Sequence, residues 1–195
     1  MTSQLRIGNI IFVVGFVASI VIRIPYDKVS QKTPINESRK DVLEKIVLSF
    51  MVVGLLILPG LSFAGLLSFA GYRATPGACT VGTSLMAVSL WVFHRSHADL
   101  GRNWSVSLEI REGHSLVTGG IYRYLRHPMY TSIYLMAIAQ AFLISNWLAG
   151  PAAIITFTLM FLSRLGREER MMLDRFGPAY EAYRRTTKRL VPWVW

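Results

Sequence analysis

Long uncharged segments alternate with charged ones along this chain. The uncharged segments cover residues 7–22, 46–72, 74–93 and 129–163, so they are 16, 27, 20 and 35 residues long. An α-helix needs roughly 20 residues to cross the hydrocarbon core of a bilayer, and segments of these lengths therefore predict membrane-spanning helices. The pattern predicts an all-α integral membrane protein.

The longest uncharged segment exceeds what a single span requires. It contains Ser145-Asn146-Trp147 and Gly150-Pro151, and such residues predict a turn. We therefore expect one helix near residues 129–144 and a second near residues 147–163.

The segment 46–72 contains Pro59-Gly60. We interpret it as one kinked or tilted helix, because a tilted span accommodates excess length at modest cost. A short hairpin is the alternative, since Pro and Gly both interrupt helices. The chain is thus predicted to have about five transmembrane helices. Short amphipathic helices are expected to follow at the cytoplasmic face.

The positive charges orient the predicted spans. If the N-terminus lies outside, the cytoplasmic segments 23–45, 94–127 and 164–195 carry 6, 5 and 8 Lys and Arg residues. The remaining two, Arg6 and Arg73, lie on the other side. Cytoplasmic loops of membrane proteins are enriched in Lys and Arg, so the N-terminus is predicted outside and the C-terminus in the cytoplasm. This topology accounts for the net charge of +10, and no nucleic-acid partner is needed.

Composition supports a single membrane domain. The chain is 52% hydrophobic and 16% charged, whereas a soluble domain carries about 25% charged residues. Its lone cysteine, Cys79, lies in an apolar segment, which excludes a disulfide framework or a thiolate metal cluster. We expect one domain over residues 1–195, with three spans in residues 1–93 and the chemistry in residues 94–195.

The first candidate site is Arg126-His127-Pro128, directly before the fourth predicted span. Pro is favoured in the first turn of a helix, so Pro128 is expected to begin that span with His127 at its N-terminus. Helix N-termini attract carboxylates and phosphates. Tyr122 and Tyr130 offer aromatic faces to a cationic ligand. An interfacial belt of aromatic and basic side chains would give the same composition, and the residues alone leave both interpretations open.

The second candidate site is Arg164 with Glu168-Glu169, where the last predicted span leaves the membrane. Arg164 and Glu168 are four residues apart and share one face of a continuous helix. An exposed ion pair is the ordinary interpretation of such spacing. The position at a membrane exit favours a site that holds an anionic substrate beside a cationic cofactor.

A metal site is not predicted. His94 and His97 have a possible ligand spacing, but no third ligand beyond Asp99 is evident.

Seven short motifs occur in order through the C-terminal half. They are Gly101-Arg102-Asn103-Trp104, Gly113-His114-Ser115-Leu116-Val117, Gly120-Ile121-Tyr122, Arg126-His127-Pro128-Met129-Tyr130, Glu168-Glu169, Phe176-Gly177 with Tyr180, and Arg189-Leu190-Val191-Pro192. With them, residues 94–195 resemble the isoprenylcysteine carboxyl methyltransferase family, integral membrane enzymes that use S-adenosyl-L-methionine. The chain looks like the short, five-span prokaryotic members, and its first two spans carry no recognisable signature.

The resemblance implies a cofactor pocket open to the cytosol and a lateral tunnel open to membrane lipid. The positions that match the family's cofactor-binding residues are Glu109, His114, Ser115, Leu116, Val117, Tyr122, His127, Pro128, Met129, Tyr130 and Glu168. Eukaryotic relatives carry an amide residue at the position of Glu109. Arg164 matches the residue that engages the substrate carboxylate, and we expect Arg164 and Glu168 to be catalytic.

The function implied is carboxyl O-methylation of a lipophilic, membrane-embedded substrate such as a lipidated cysteine. A carboxyl group ordinarily has a pKa of about 4 and is already ionised near neutral pH, so the transfer needs alignment of two reactants and no general base. One alternative is a phospholipid amine N-methyltransferase, which shares a related cofactor half. Another is an NADPH-dependent membrane sterol reductase, which carries a similar Arg-His-Pro segment. The paired Glu168-Glu169 suits a sulfonium better than a polyphosphate.

Overall fold

Helices joined by short turns make up most of the chain, and the computed structural model describes residues 3–32, 35–38, 42–104, 109–111, 113 and 115–192. The helices are α1 (Ser3–Lys32), α2 (Val42–Val52), α3 (Leu58–Phe63), α4 (Pro76–Leu100), α5 (Pro128–Leu143), α6 (Ala152–Phe176) and α7 (Pro178–Thr186). Two short strands that the sequence did not predict, β1 (Ile35–Ser38) and β2 (Glu109–Arg111), pair antiparallel.

The helices have the composition of membrane spans. Within the described residues, Arg6–Lys32, Val42–Phe63 and Pro76–Asn103 are long and apolar enough to cross a bilayer, with mean hydropathies of 2.3, 2.5 and 1.4. The helix α5 is apolar but has 16 residues, and α6 becomes charged after Ser163. Many large apolar side chains are exposed, as lipid-facing residues are; examples are Val14, Trp91, Ile155 and Leu162. The integral membrane class is confirmed.

The helices α1 and α4 both extend beyond the uncharged segments that predicted them. The helix α1 continues through Pro25 to Lys32, and α4 continues to Leu100. Polar residues in these extensions are buried, with Ser30 at 2% exposure and His97 at 0%. Tertiary packing therefore stabilises helical turns that hydropathy alone does not mark.

The segment around Pro59 is one interrupted helix, so the hairpin alternative is wrong. Between α2 and α3, residues Val53–Ile57 form a π-helical turn in which the Leu58 amide donates to the Val53 carbonyl. Pro59 has no N–H to donate, and the wider turn accommodates the missing hydrogen bond. The buried Gln140 amide donates to the Gly54 carbonyl at 2.9 Å, which binds this turn to α5.

Small residues let α1, α4 and α5 approach closely. A Cβ atom added at Gly15 would lie 2.6 Å from the Met86 side chain, and one at Gly82 would lie 2.7 Å from Leu143. The buried Ser89 hydroxyl donates to the Ser132 carbonyl at 2.7 Å and joins α4 to α5. Small residues and short polar bonds are the usual means of packing helices within a membrane.

The predicted turn between α5 and α6 is present, but α6 begins at Ala152 and not near residue 147. The reason is the Asn146 side chain, whose oxygen accepts hydrogen bonds from the Leu148 and Ala149 amides at 3.0 and 2.9 Å. Its amide nitrogen donates to the Leu67 carbonyl at 2.7 Å. These bonds hold the connection in a compact turn until Pro151 precedes the helix.

The C-terminal segment folds back onto the start of α5. The helix α6 continues without interruption to Phe176, and Gly177, with φ +50°, starts the reversal into α7. The first of the expected C-terminal helices is thus the end of α6. Farther on, the Arg126 amide donates to the Lys188 carbonyl at 2.7 Å, and the His127 amide donates to the Arg189 carbonyl at 3.0 Å. Residues distant in sequence therefore hold the Arg-His-Pro turn.

Candidate active site

The predicted site residues surround one cavity of about 210 Å³. A single water needs roughly 10–15 Å³, so this space is far larger than a packing defect. Its walls come from α1, α2, α4, α5, α6 and α7 together with the turns at 103–104, 115–117 and 122. The predicted residues that line it are Ser115, Leu116, Val117, Tyr122, His127, Pro128, Met129, Tyr130, Arg164 and Glu168.

Two predicted cofactor residues have no described side chain. His114 lies outside the described residues, and Glu109 is described through its backbone place in β2, opposite Ser38. Their roles stay predictions.

The turn before α5 has the predicted form, with Pro128 in the first turn and His127 directly before it. The imidazole of His127 is buried and lies between two carboxylates: Nδ1 is 3.5 Å from Glu168 and Nε2 is 3.6 Å from Glu169. Burial alone would lower the pKa of His127, but the two carboxylates outweigh it and raise the pKa above its usual value. His127 therefore favours its protonated form.

Glu168 is the carboxylate that faces the cavity. Its side chain is 27% exposed, compared with 9% for Glu169, and it accepts a hydrogen bond from the Tyr130 hydroxyl. Burial raises the pKa of Glu168, but the bond and charge of His127 and the charge of Arg164 prevail and lower it to about 2. Glu168 is ionised at neutral pH.

Glu169 has a structural role that the sequence did not separate from that of Glu168. Arg126 donates to it at 3.0 Å, and Arg189 makes two bonds of 3.1 Å to its two oxygens. Arg126 also donates to the carbonyls of Arg184 and Thr187. Burial by itself would raise the pKa of Glu169. The hydrogen bonds from His127, Arg189 and Arg126 outweigh this effect and hold the pKa well below its usual range. This cluster fastens α6 to the Arg-His-Pro turn and to the C-terminal segment.

Arg164 is buried on α6 with two acidic neighbours. Its Nη1 lies 3.6 Å from Glu44 of α2, and its Nε lies 3.9 Å from Glu168. Sequence reasoning missed Glu44, which is 3% exposed. An acidic residue in the first turn of an apolar helix is a signal that could have identified it, because burying a charge at the end of a membrane span is costly and marks candidate functional sites.

The loop before Tyr122 is fastened to the end of α4. The Ser115 amide donates to the Asn103 side chain at 3.0 Å, which sets residues 115–117 along the cavity. The Asp99 carboxylate accepts from the Ile121 amide at 2.7 Å. Gly120 has φ +60°, and a Cβ atom there would collide with Asp99. The glycine-rich end of this loop thus permits a close approach to α4.

The two histidines near the end of α4 have different surroundings. His94 is exposed, whereas His97 is fully buried against the rings of Tyr26, Phe93 and Trp104, with centroid separations of 5.2, 4.3 and 5.1 Å. Because His97 Nδ1 lies 2.8 Å from the Phe93 carbonyl, that nitrogen carries the proton. Within the described part of the chain, no three His, Cys, Asp or Glu side chains are grouped as metal ligands.

Further lining residues were not predicted to bind the cofactor or the substrate. Tyr180 and Tyr183 of α7 also line the cavity, and the Tyr183 hydroxyl donates to the Tyr122 carbonyl at 2.6 Å. Burial is the main cause that raises the pKa of both phenols, so both stay neutral. The other lining residues that the sequence analysis did not assign to the cofactor or the substrate are Arg23, Leu48, Met51, Phe93, His97, Leu100, Asn103, Trp104, Arg126, Ile133, Met160, Met171 and Met172. Of these, Asn103, Trp104, Arg126 and Tyr180 stand in the motifs above, and Arg126 is part of the Arg-His-Pro candidate site, so the motifs were the available signal.

Comparison with known proteins gives consistent results. Residues 79–174 match the model of the isoprenylcysteine carboxyl methyltransferase family. A protein-S-isoprenylcysteine O-methyltransferase of Schizosaccharomyces pombe is 30% identical over 89 residues, which are 46% of this chain and 38% of the relative. The human enzyme of that name is 28% identical over 92 residues, or 47% and 32% of the two chains. The matched segment thus spans about a third of these relatives.

A solved structure has a similar fold over more of the chain. The structure of a eukaryotic intramembrane Ras methyltransferase, an isoprenylcysteine carboxyl methyltransferase, aligns with a TM-score of 0.53 and 22% identity. The alignment covers 78% of this chain and 52% of that one. It therefore includes helices that precede the matched family segment. The sequence of residues 79–174 is similar to the isoprenylcysteine carboxyl methyltransferase family, and the larger part of the chain has a fold similar to that of a solved member.

Proposed function

We propose that this protein is an S-adenosyl-L-methionine-dependent methyltransferase that methylates the carboxylate of a lipophilic substrate within the membrane. One observation carries the proposal: Arg164 and the ionised Glu168, one turn apart on α6, line the same cavity. A guanidinium and a carboxylate in one cavity suit an anion and a cation that must bind side by side. The names of the matched relatives support a lipidated cysteine as the substrate.

The residues fit the proposed methyl donor. When bound, S-adenosyl-L-methionine supplies a methyl group on a positively charged sulfur. Glu168 is the proposed partner for positive charge, because it is ionised and partly open to the cavity. The N-terminus of α5 at Pro128 offers backbone N–H groups to a carboxylate. Ser115, Leu116, Val117, Tyr122, Met129 and Tyr130 are proposed to enclose the remainder.

Arg164 is proposed to orient the acceptor carboxylate. A guanidinium can donate two parallel hydrogen bonds to a carboxylate, which fixes its direction as well as its position. Because a carboxylate is already ionised near neutral pH, the protein needs no group that removes a proton. Alignment of the two reactants then supplies much of the acceleration.

The apolar part of the cavity wall is proposed to receive the lipid portion of the substrate. Leu48 and Met51 of α2, Ile133 of α5 and Met160 of α6 line it. Apolar burial contributes roughly 0.8 kcal/mol per methylene group. We therefore expect affinity to increase with the length of the acceptor's apolar chain.

Two ligands test the type of cofactor. S-adenosylhomocysteine and NADPH are titrated separately into the purified protein, and thermal stability and heat of binding are recorded. We expect stabilisation by S-adenosylhomocysteine alone. Stabilisation by NADPH alone would overturn the proposal in favour of a reductase.

Two acceptors test the nucleophile. The first is an N-acylated cysteine with a prenyl thioether and a free carboxylate, and the second is its carboxamide. Labelled methyl transfer is expected to the carboxylate alone. Transfer to a phospholipid amine, with none to the carboxylate, would identify an amine methyltransferase.

The proposed orientation has the N-terminus outside and the active site facing the cytoplasm, supported by the positive-inside distribution of Lys and Arg. Single cysteines are introduced at Arg73 and at Arg175 in a Cys79→Ser background. A membrane-impermeant maleimide added to intact cells should label the first position and not the second. The reverse labelling would invert the topology.

A further inference from the structure

Arg23 is a charged residue in the first membrane-spanning helix. It lies within the candidate span Arg6–Lys32 and directly follows the uncharged segment 7–22. Its side chain lines the cavity that Arg164 and Glu168 also line. A charged side chain that faces a cavity from the end of a membrane span is costly to leave without a partner and marks a candidate ligand site. The helix α1 lies outside the matched family segment, residues 79–174.

The Arg23 guanidinium rests on an aromatic face. Its Cζ atom is 5.1 Å from the centroid of the Trp104 ring, within the range of a cation–π interaction. Trp104 is 1% exposed, so the ring is a fixed support. A guanidinium over an aromatic ring keeps N–H groups that can donate to a planar anion.

Trp104, which also lines the cavity, has a buried hydrogen-bond donor of its own. Its Nε1–H is buried and has no hydrogen-bond partner among the described residues. Leaving a buried donor unpaired costs on the order of 1–3 kcal/mol. A ligand with an acceptor oxygen would remove this cost, and a carboxylate provides two such oxygens.

The charges around Arg23 also favour an anion. Arg23 and Arg164 line one cavity, and their positive charges repel each other. Asp27, one turn farther along α1, attracts the Arg23 charge, but no carboxylate among the described residues is in direct ion-pair contact with Arg23. Arg164, in contrast, lies beside Glu44 and Glu168. An anion held between the two arginines would relieve their repulsion.

We propose that Arg23 is a substrate-binding residue and that Arg23 and Arg164 together hold the carboxylate of the methyl acceptor. This inference rests on the proposed function and narrows its substrate class to monoanionic carboxylates on an apolar chain. The first span then completes a site whose other cation comes from α6. It also gives a reason why a sequence segment without a recognisable motif carries this arginine.

The arrangement has a consequence for product release. In the transfer, a carboxylate oxygen forms a bond to the methyl carbon, the carbon–sulfur bond breaks and its electron pair stays on the sulfur. No proton moves, and the anionic acceptor becomes a neutral ester. The ester no longer attracts either arginine, so it should bind more weakly than the acid and leave toward the lipid.

Three variants test the role of Arg23. Arg23→Gln and Arg23→Lys are compared with Lys28→Gln, an exposed control on the same helix, and with the unaltered protein. The acceptor KM is measured with the prenylated cysteine acid, and S-adenosylhomocysteine affinity is measured by calorimetry. We expect Arg23→Gln to raise the KM by about tenfold or more, with cofactor affinity within about twofold. Arg23→Lys should be intermediate, and Lys28→Gln should leave both values unchanged.

The outcomes separate this inference from the function on which it rests. Retained S-adenosylhomocysteine binding shows that a variant is folded, and if Arg23→Gln does not fold, Arg23→Lys decides the result. An unchanged KM would overturn the inference while leaving the methyltransferase in place, and an equal loss of cofactor affinity would assign Arg23 to the methyl donor. A direct measurement is the binding of the acid and of its carboxamide, because only the acid should be sensitive to Arg23→Gln. Absence of methyl transfer by the unaltered protein would overturn the proposed function and this inference together.

Discussion

Glu168 and Glu169 are adjacent in the chain, yet they serve different parts of the structure. Glu168 accepts from Tyr130 and is partly open to the cavity, whereas Glu169 is enclosed by Arg126 and Arg189. Successive residues on a helix point about 100° apart, so one carboxylate reaches the ligand space and the other reaches the C-terminal segment. His127 lies between them and joins the two environments.

Replacing the carboxylate that faces the cavity should weaken cofactor binding. We expect Glu168→Gln to reduce S-adenosyl-L-methionine affinity by about tenfold or more, because a charged contact becomes a neutral one. Calorimetry measures the change, with S-adenosylhomocysteine, which lacks the positive charge on sulfur, as the comparison. Equal affinities in the variant and the unaltered protein would remove Glu168 from the site.

Replacing Glu169, the neighbour of Glu168 in the chain, should lower the stability of the protein. Glu169→Gln breaks a buried ion-pair cluster, and the free energy of unfolding should fall by roughly 3 kcal/mol, since removing one partner of a buried pair costs on that order. Because folding lowers the pKa of Glu169, the ionised carboxylate contributes fully to stability above about pH 4.5. This contribution is lost as the pH falls through the lowered pKa of the folded protein. The difference in Tm between the two proteins should therefore shrink in acid. A constant difference would contradict this account.

The contribution of His127 to stability should have the opposite pH dependence. The pKa of His127 is raised by Glu168 and Glu169, so its contribution to stability is complete below about pH 6.5 and is lost as pH rises through the raised value. The stability difference between the unaltered protein and His127→Gln should be largest near pH 6 and decrease at higher pH. Thermal unfolding at a series of pH values measures it. A difference that grows with pH would show that His127 is neutral in the folded protein.

The geometry of the guanidinium on α6 should matter for turnover. We expect Arg164→Lys to lower kcat by about 10- to 100-fold while S-adenosylhomocysteine binding is retained, because the two parallel hydrogen bonds are lost. Arg170→Lys, an exposed position on the same helix, is the matched control. Steady-state kinetics with the carboxylate acceptor decides the result. Full activity of Arg164→Lys would show that Arg164 does not orient the acceptor.

Two adjacent glycines give a test of the loop before Tyr122. Gly120→Ala places a Cβ atom against Asp99 at φ +60°, so it should destabilise the protein by at least about 1 kcal/mol and weaken cofactor binding. Gly119→Ala is the control, since Gly119 has φ −94° and open space for a Cβ atom. Tm and S-adenosylhomocysteine affinity are compared. Equal behaviour of the two variants would show that the Asp99 contact does not position the loop.

Several features of the fold were predictable because they depend on local properties of the sequence. The uncharged segments indicated the membrane helices in their correct order, since transfer of a helix into lipid depends on the composition of about 20 consecutive residues. The Arg-His-Pro motif located the first residue of α5 at Pro128, because Pro suits the first turn of any helix. The spacing of Arg164 and Glu168 placed both on one face of α6.

Other features were missed or misplaced because distant partners determine them. The start of α6 at Ala152 depends on the Asn146 side chain, and the extension of α4 depends on burial of His97. The pairing of Glu44 with Arg164 joins helices more than a hundred residues apart in the chain. No periodicity within α2 indicates which helix will be its neighbour.

Hydropathy and motif spacing were thus sufficient to establish the membrane class, the order of the helices and the identity of the polar motifs at one end of them. The packing of the helices was needed to show that Arg23 of α1 and Arg164 of α6 line one cavity, and that Glu168 faces it while Glu169 does not. The physical reason is that hydropathy and helix spacing act over a few turns of chain. The environment of a charge depends on which helices pack around it.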